Sequence, residues 1–222
     1  MFNMSKIQQL IKRIIVYTIG LFIMALGVSV SKISNLGVSP VNSVPSVLSD
    51  ILKVDMGICT TGVFLVFIVI QILILRKEFQ LINLLQLVCS FMFGYFVSIT
   101  NKLSLSILPQ GNSYLTQLLY VGISIILVAM GILLYLEASI LSLPGEGVMQ
   151  AISSKTGIAL PTAKLFFDWA LVTIAVITSL IFTRSLMGVR EGTVIAAFGV
   201  GICLKFFTNH FRIPLNKMLS ND

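Results

Sequence analysis

Two oppositely charged side chains lie one helical turn apart inside an apolar stretch of the chain. Lys164 and Asp168 both occur in the run Leu160–Thr183. A single charge there would cost about 2.5–3.5 kcal/mol in hydrocarbon, so each needs a partner or a purpose. In a helix, an i,i+4 spacing lets the two side chains meet. We interpret the pair either as a salt bridge that seats the helix or as part of a site for a substrate or protons.

Glu146 is the second acidic candidate, and it lies between Gly145 and Gly147. Pro144 precedes it and favours the first position of a helix, where a carboxylate is also favourable. We interpret Glu146 either as the partner of a bound cation or coupling proton, or as a residue that caps its own helix. Gln150, one turn later, is included in the same predicted site.

Neutral polar residues surround Pro40, at the start of a similar short segment in the first half of the chain. We expect Ser39 to cap this helix, whose N-terminus can receive an anionic or carbonyl group. If this end faces Glu146, the combined site suits a small zwitterionic or amine-bearing solute. The predicted substrate-binding residues are Ser39, Asn42, Ser43, Glu146, Gln150, Lys164 and Asp168.

Four further residues are candidates for a gate or a coupling group. Arg190 and Glu191 open the last apolar run and, about 100° apart on a helix, need not pair with each other. They are either interfacial anchors or a gate ion pair with another helix. Asn83 and Gln86 are expected to share a helix face, where they line a cavity or hydrogen-bond between helices.

Several reaction classes lack the residues that they need. His210 follows the last apolar run, so neither an intramembrane zinc site nor a serine–histidine dyad has a histidine there. The sequence contains no G-x-x-x-x-G-K-[ST] motif, and Cys59, Cys89 and Cys203 lack a C-x-x-C spacing. We therefore expect no enzyme activity, no catalytic residue, no metal and no cofactor.

The composition places these residues in a lipid bilayer. Of the 222 residues, 57% are hydrophobic and only 10% are charged, which leaves too little polar surface for a water-soluble globule. The net charge of +7 comes from short cationic runs beside apolar segments, so nucleic acid is not an expected partner. The expected partners are the bilayer, a small-molecule solute, and a second copy or a membrane partner protein.

Uncharged runs of roughly 20 residues predict about six transmembrane helices. They cover residues 14–31, 56–75, 79–101, 115–136, 160–183 and about 186–207. A turn-forming cluster at residues 109–113 separates the third run from the fourth. We interpret the first run as a retained helix, because it is longer than the apolar part of a signal peptide.

The chain resembles itself at an offset of 104 residues, which pairs Gly27 with Gly131 and Pro40 with Pro144. We predict two tandem repeats that form a two-fold pseudo-symmetric bundle, with the functional cavity at the junction of the two halves. The predicted divisions are a single membrane domain at 1–222, repeat one at 12–102, repeat two at 115–207 and a cytoplasmic tail at 208–222.

Each half also holds one segment that is short for a crossing, at residues 40–53 and 144–155. Such a helix reaches about 20 Å of the roughly 30 Å core, so we expect two re-entrant half-helices and repeats of inverted topology. Full crossings would instead give eight spans and parallel repeats. Ten of the 15 Lys and Arg lie inside in either arrangement, so segment length alone favours the all-α, six-span fold.

Three short stretches carry a family resemblance: GVSPVNSVP at 37–45, LPGEG at 143–147 and VREGTV at 189–194. With them, the chain resembles the YczE/YyaS/YitT family of small bacterial integral membrane proteins. The resemblance implies a multi-pass protein of the bacterial cytoplasmic membrane and a transporter, without a substrate or functional residues.

These features favour a secondary transporter, or channel-like carrier, of a small polar solute. The alternative is a non-transporting membrane subunit that binds a partner complex. The scarcity of extramembrane sequence and the basic tail at 209–217 fit that alternative, although the tail also suits anionic lipid.

Overall fold

The computed structural model describes residues 4–109, 113–185 and 188–219. Three parts of the sequence predictions lie outside these ranges. They are residues 110–112 of the predicted turn, residues 186–187 at the start of the last predicted crossing, and residues 220–222 of the predicted tail.

The described residues form eight α-helices and two short 3-10 helices, and no strand occurs among them. The α-helices are α1 (Met4–Ile33), α2 (Pro40–Leu52), α3 (Met56–Leu75), α4 (Gln86–Ile107), α5 (Tyr114–Ala138), α6 (Pro144–Thr156), α7 (Leu160–Thr183) and α8 (Glu191–Leu219). The 3-10 helices, at Arg76–Glu78 and Leu81–Leu85, connect α3 to α4.

Six helices in the described ranges are long and apolar enough to cross a membrane, namely α1, α3, α4, α5, α7 and α8. Large apolar side chains such as Phe166 and Ile202 are exposed on their outer faces, as a lipid environment requires. The prediction of an all-helical fold is confirmed for the described residues, and their six candidate membrane-spanning helices agree with a multi-pass membrane protein.

Several helix ends differ from the uncharged runs that predicted the crossings. Helix α1 begins at Met4, before the predicted run at residues 14–31, because charged residues lower the local hydropathy but do not end a helix. Helix α4 begins only at Gln86, after the 3-10 turn Leu81–Leu85. Helix α8 continues through Pro214 to Leu219, so the predicted boundary between repeat two and the tail lies within it.

Helices α1 and α5 pack along each other through small residues at the centre of the molecule. A methyl group added to Gly27 would lie 2.8 Å from Cγ2 of Val128, and one added to Gly131 would lie 2.6 Å from the backbone nitrogen of Met24. The two backbones therefore approach more closely than larger side chains would permit. Helix α4 packs beside α1, and α8 beside α5.

The two short helices lie between α3 and α7, and each contacts both of them. Their N-terminal ends meet in the interior, where a methyl group on Gly145 of α6 would lie 3.4 Å from Cγ1 of Val41 on α2. This meeting point positions the polar residues of both short helices.

Candidate functional site

A cavity of about 470 Å³ lies where the first turns of α2 and α6 meet. All of the α-helices except α4 contribute to its lining. Most of the wall is apolar, with Met24, Phe64, Val128 and Ile132 among its residues. This volume and this apolar wall suit a small organic molecule.

Six polar side chains interrupt the apolar wall. They are Ser39, which precedes α2, Asn42 of α2, Glu146 and Gln150 of α6, and Lys164 and Asp168 of α7. All six belong to the binding set predicted from the sequence. The structure therefore brings together residues from three separate segments, although their role in binding stays a prediction.

The predicted i,i+4 ion pair on α7 is present. Nζ of Lys164 lies 2.6 Å from Oδ2 of Asp168. The side chain of Asp168 is 14% exposed and that of Lys164 is 53% exposed, so the carboxylate is the deeper partner. Oδ1 of Asp168 is buried and has no hydrogen-bond partner among the described residues. The ion pair therefore leaves one buried carboxylate oxygen without a hydrogen-bond partner in the described ranges.

At the start of α2, the side chain of Asn42 is held by Ser39, whose Oγ accepts a hydrogen bond from Nδ2 at 2.9 Å. The expectation that the Ser39 hydroxyl caps the helix backbone is wrong. The backbone N–H of Asn42, the usual target of such a cap, already donates to the Ser39 carbonyl oxygen. Oδ1 of Asn42 is buried without a partner among the described residues.

At the start of α6, the Glu146 carboxylate approaches the backbone N–H of Leu143, the residue before the helix. A glutamate at this position commonly reaches back in this way. Lys164 supplies the nearby positive field, but no described residue forms an ion pair with Glu146. Glu146 therefore lines the cavity while its carboxylate stays near the start of its own helix, so both interpretations of this residue stay open.

Gln71 of α3 fixes the first turn of α6, and the sequence reasoning missed it. Its Nε2 donates to Oε1 of Gln86 and to the carbonyl oxygen of Pro144, both at 3.0 Å. A methyl group on Gly147 would overlap the Gln71 side chain, so only glycine leaves room for this contact. The sequence signal that could have found it is a single glutamine within the otherwise apolar run at residues 56–75.

Three predicted residues lie away from the cavity in helix interiors or turns. Oγ of Ser43 is buried and donates to the Pro40 carbonyl oxygen at 2.6 Å, within its own helix. Gln86 faces Gln71 instead. Asn83 belongs to the 3-10 turn Leu81–Leu85, which leads directly into α4 at Gln86.

Arg190 and Glu191 also lie outside the cavity lining. Nη2 of Arg190 lies 3.3 Å from Oε1 of Glu191, and Nη1 donates to the carbonyl oxygen of Asn35. The two residues pair with each other because Arg190 precedes α8, where helical spacing does not apply. The predicted gate ion pair with another helix is therefore not formed.

Comparison with known families classifies the chain without giving it an activity. The model of a family of unknown function, DUF6198, matches residues 11–209. The chain belongs to DUF6198. No curated protein and no solved structure matches it. The match does not name the YczE/YyaS/YitT family, so that resemblance stays a prediction.

The chemistry available to this DUF6198 protein in the cavity is hydrogen bonding and charge pairing. Among the residues that the structure describes, no group of three or more His, Cys, Asp or Glu side chains is placed to hold a metal ion. The cavity instead offers carboxylate and amide oxygens together with one ammonium group.

Proposed function

We propose that this DUF6198 protein is a secondary transporter, or channel-like carrier, of a small zwitterionic or amine-bearing solute. The observation that carries the proposal is the cavity, in which acidic and neutral polar groups collect at the ends of two short helices. The resemblance to the YczE/YyaS/YitT family supports a location in the bacterial cytoplasmic membrane. We assign the protein no catalytic residue.

We further propose that α2 and α6 are re-entrant half-helices that enter the bilayer from opposite faces. Each has 13 residues, and such a helix reaches about 20 Å, short of the roughly 30 Å core. The close approach of Val41 to Gly145 supports a meeting of their tips within the bilayer. With the N-terminus inside, α2 would return to the outer face and α6 to the cytoplasm.

The proposed duplication is supported by matching side-chain hydrogen bonds at the offset of 104 residues. Oγ of Ser49 donates to the carbonyl oxygen of Val54 at 2.8 Å. Oγ of Ser153 donates to the carbonyl oxygen of Ile158, also at 2.8 Å. An equivalent serine near the end of each short helix therefore bonds to the carbonyl oxygen five residues later.

Backbone turns match at the same offset. Asn35 and Ser139, which follow the first helix of each half, have φ angles of 57° and 52°. Lys53 and Gly157, which follow the two short helices, have φ angles of 56° and 73°. Left-handed conformations are uncommon outside glycine, so their recurrence supports a common ancestor for the two halves.

Flux into proteoliposomes tests the transport proposal. Radiolabelled amines, amino acids and organic anions would be supplied with and without a pH gradient, using the full chain. We expect uptake of an amine-bearing solute, reduced at least tenfold by Glu146→Gln and by Asp168→Asn. Glu191→Gln is the matched control, because its carboxylate pairs with Arg190 away from the cavity. No uptake of any solute would favour the non-transporting membrane subunit.

Thiol labelling tests the proposed topology separately. Single cysteines at residues 50 and 155 would be introduced after replacement of Cys59, Cys89 and Cys203. Inverted repeats place the two thiols on opposite sides of the membrane. Labelling of both from the same side would contradict that arrangement and support eight spans.

A further inference from the structure

The charges that line the cavity do not balance. Glu146 and Asp168 contribute two carboxylates, whereas Lys164 contributes the single cation in the lining. Lys164 is already paired with Asp168 at 2.6 Å. One negative charge on Glu146 therefore has no ion-pair partner among the described residues. Burying such a charge is costly, so a cationic ligand would relieve that cost.

Two further acceptors in the same lining lack donors. Asn42 is only 4% exposed, and its Nδ2 is already used by Ser39. Its Oδ1, like Oδ1 of Asp168, has no hydrogen-bond partner in the described part of the chain. Burying an acceptor without a hydrogen-bond partner is costly. A ligand with several N–H donors would satisfy these oxygens, and a primary ammonium group carries three.

The remainder of the lining favours an apolar ligand body. Phe64, Val128 and Ile132 form a hydrocarbon wall, and the flexible Met24 and Met149 can adapt to different shapes. A free carboxylate on the ligand would find no unpaired cation, since Lys164 is the lining's one positive group. An amine without a carboxylate therefore fits this lining better than an amino acid does.

We propose that the cavity binds a lipophilic primary ammonium ion, with its N–H donors on Glu146, Asn42 and Asp168 and its hydrocarbon part against α5 and the methionines. The inference rests on the proposed function only in taking this cavity as the solute site. It narrows the solute class from zwitterionic or amine-bearing molecules to amines with an apolar body.

Calorimetric titration of the full chain in lipid nanodiscs tests the ligand class without any need for transport. The probes are hexylamine, hexyltrimethylammonium, hexan-1-ol, hexanoate and methylamine. Hexylamine combines charge, N–H donors and an apolar body, and each other probe lacks at least one of these. We expect hexylamine to bind at least tenfold more tightly than any of the others. Equal binding of hexanoate or hexan-1-ol would overturn the proposal.

Variants locate the ammonium group within the cavity. Glu146→Gln and Asn42→Leu should each weaken hexylamine binding at least tenfold, while Glu191→Gln leaves it unchanged. Circular dichroism and size-exclusion profiles show which variants are folded. If Asn42→Leu does not fold, Asn42→Asp retains the acceptor and should bind hexylamine at least as tightly as the original chain. Unchanged affinity in Glu146→Gln would overturn the assignment.

The two proposals fail in different ways. Hexylamine binding without flux of any amine would support the ligand class and contradict transport. Flux of an organic anion, with no hexylamine binding, would support transport and overturn the ligand class.

Discussion

Helices α3 and α4 are tightly packed, whereas α7 and α8, their counterparts in the proposed repeat, stand apart. A methyl group on Gly94 of α4 would overlap Oγ1 of Thr61 on α3, and one on Gly57 would overlap the carbonyl oxygen of Gly94. Gly201 of α8 aligns with Gly94 after a small shift from the offset of 104 residues, and a methyl group placed on it would have no atom within 4 Å. In the described ranges, α7 and α8 do not pack along each other as α3 and α4 do.

The cavity lies beside α7 and α8, the open helix pair. Lys164 and Asp168 of α7 line it, as does Gly201 of α8, whereas α4 contributes nothing to its lining. Pro161 of α7 stands at the position that Gly57 occupies on α3, and a proline ring cannot allow the close approach that glycine allows. The two proposed repeats therefore differ, because one has a closed helix pair and the other has a pair that borders the cavity.

The largest expected effect is at the closed pair. Gly94→Leu should destabilise the protein by about 3 kcal/mol or more, because the added side chain has no space between α3 and α4. Thermal unfolding and the monodisperse fraction after purification would measure it. Gly122→Leu is the matched control, since Gly122 of α5 faces open space. Equal stability of these two variants would show that α3 and α4 are not closed.

A smaller loss of stability is expected at Gln71, the residue of α3 that bonds to the start of α6. Gln71→Leu removes the bonds to Pro144 and Gln86 and should cost about 1–3 kcal/mol, because buried acceptors lose their donor. Gln86→Leu should cost less, since Gln71 would keep its bond to Pro144. The corresponding residue of α7 is Ala175, which cannot form such a bond. Chemical unfolding checks the order, which a larger loss in Gln86→Leu would contradict.

At the open pair, the same substitution should affect binding rather than folding. Gly201→Leu fills the side of the cavity and should weaken hexylamine at least tenfold, or about 1.4 kcal/mol. The unfolding temperature should match that of Gly122→Leu, because both glycines face open space. Calorimetry and thermal unfolding measure the two quantities. A loss of stability as large as in Gly94→Leu would mean that α7 and α8 close on each other.

The smallest effects are expected at the ion pairs that hold the far ends of the short helices. Lys32 and Asp50 lie 3.1 Å apart and are part-buried, whereas Lys155 and Glu78 are more exposed. Solvent-exposed pairs contribute about 0.2–1 kcal/mol. Asp50→Asn should therefore destabilise more than Glu78→Gln, and both effects should shrink in high salt. Unfolding at two ionic strengths tests this, and a larger effect of Glu78→Gln would contradict it.

Hydropathy predicted the crossings because each charge in hydrocarbon is costly, so long uncharged runs mark the bilayer. It did not predict where helices end, since the backbone of α8 continues to Leu219 past the charged residues. Local spacing predicted the contact between Lys164 and Asp168, which depends only on helix geometry. The internal offset of 104 residues pairs Asn42 with Glu146, which predicted that they occupy equivalent positions at the starts of the two short helices.

The amino-acid sequence by itself thus determined the helical membrane class, the short segments and the i,i+4 ion pair, because these depend on composition and on neighbours along the chain. The tertiary structure decided that Asn42, Glu146 and Asp168 line one cavity and that Gln71 forms a hydrogen bond to the start of α6. It also decided which helix pair is closed. Such features depend on how distant segments pack, and side-chain volume at a contact has no signature in the spacing of residues along the chain.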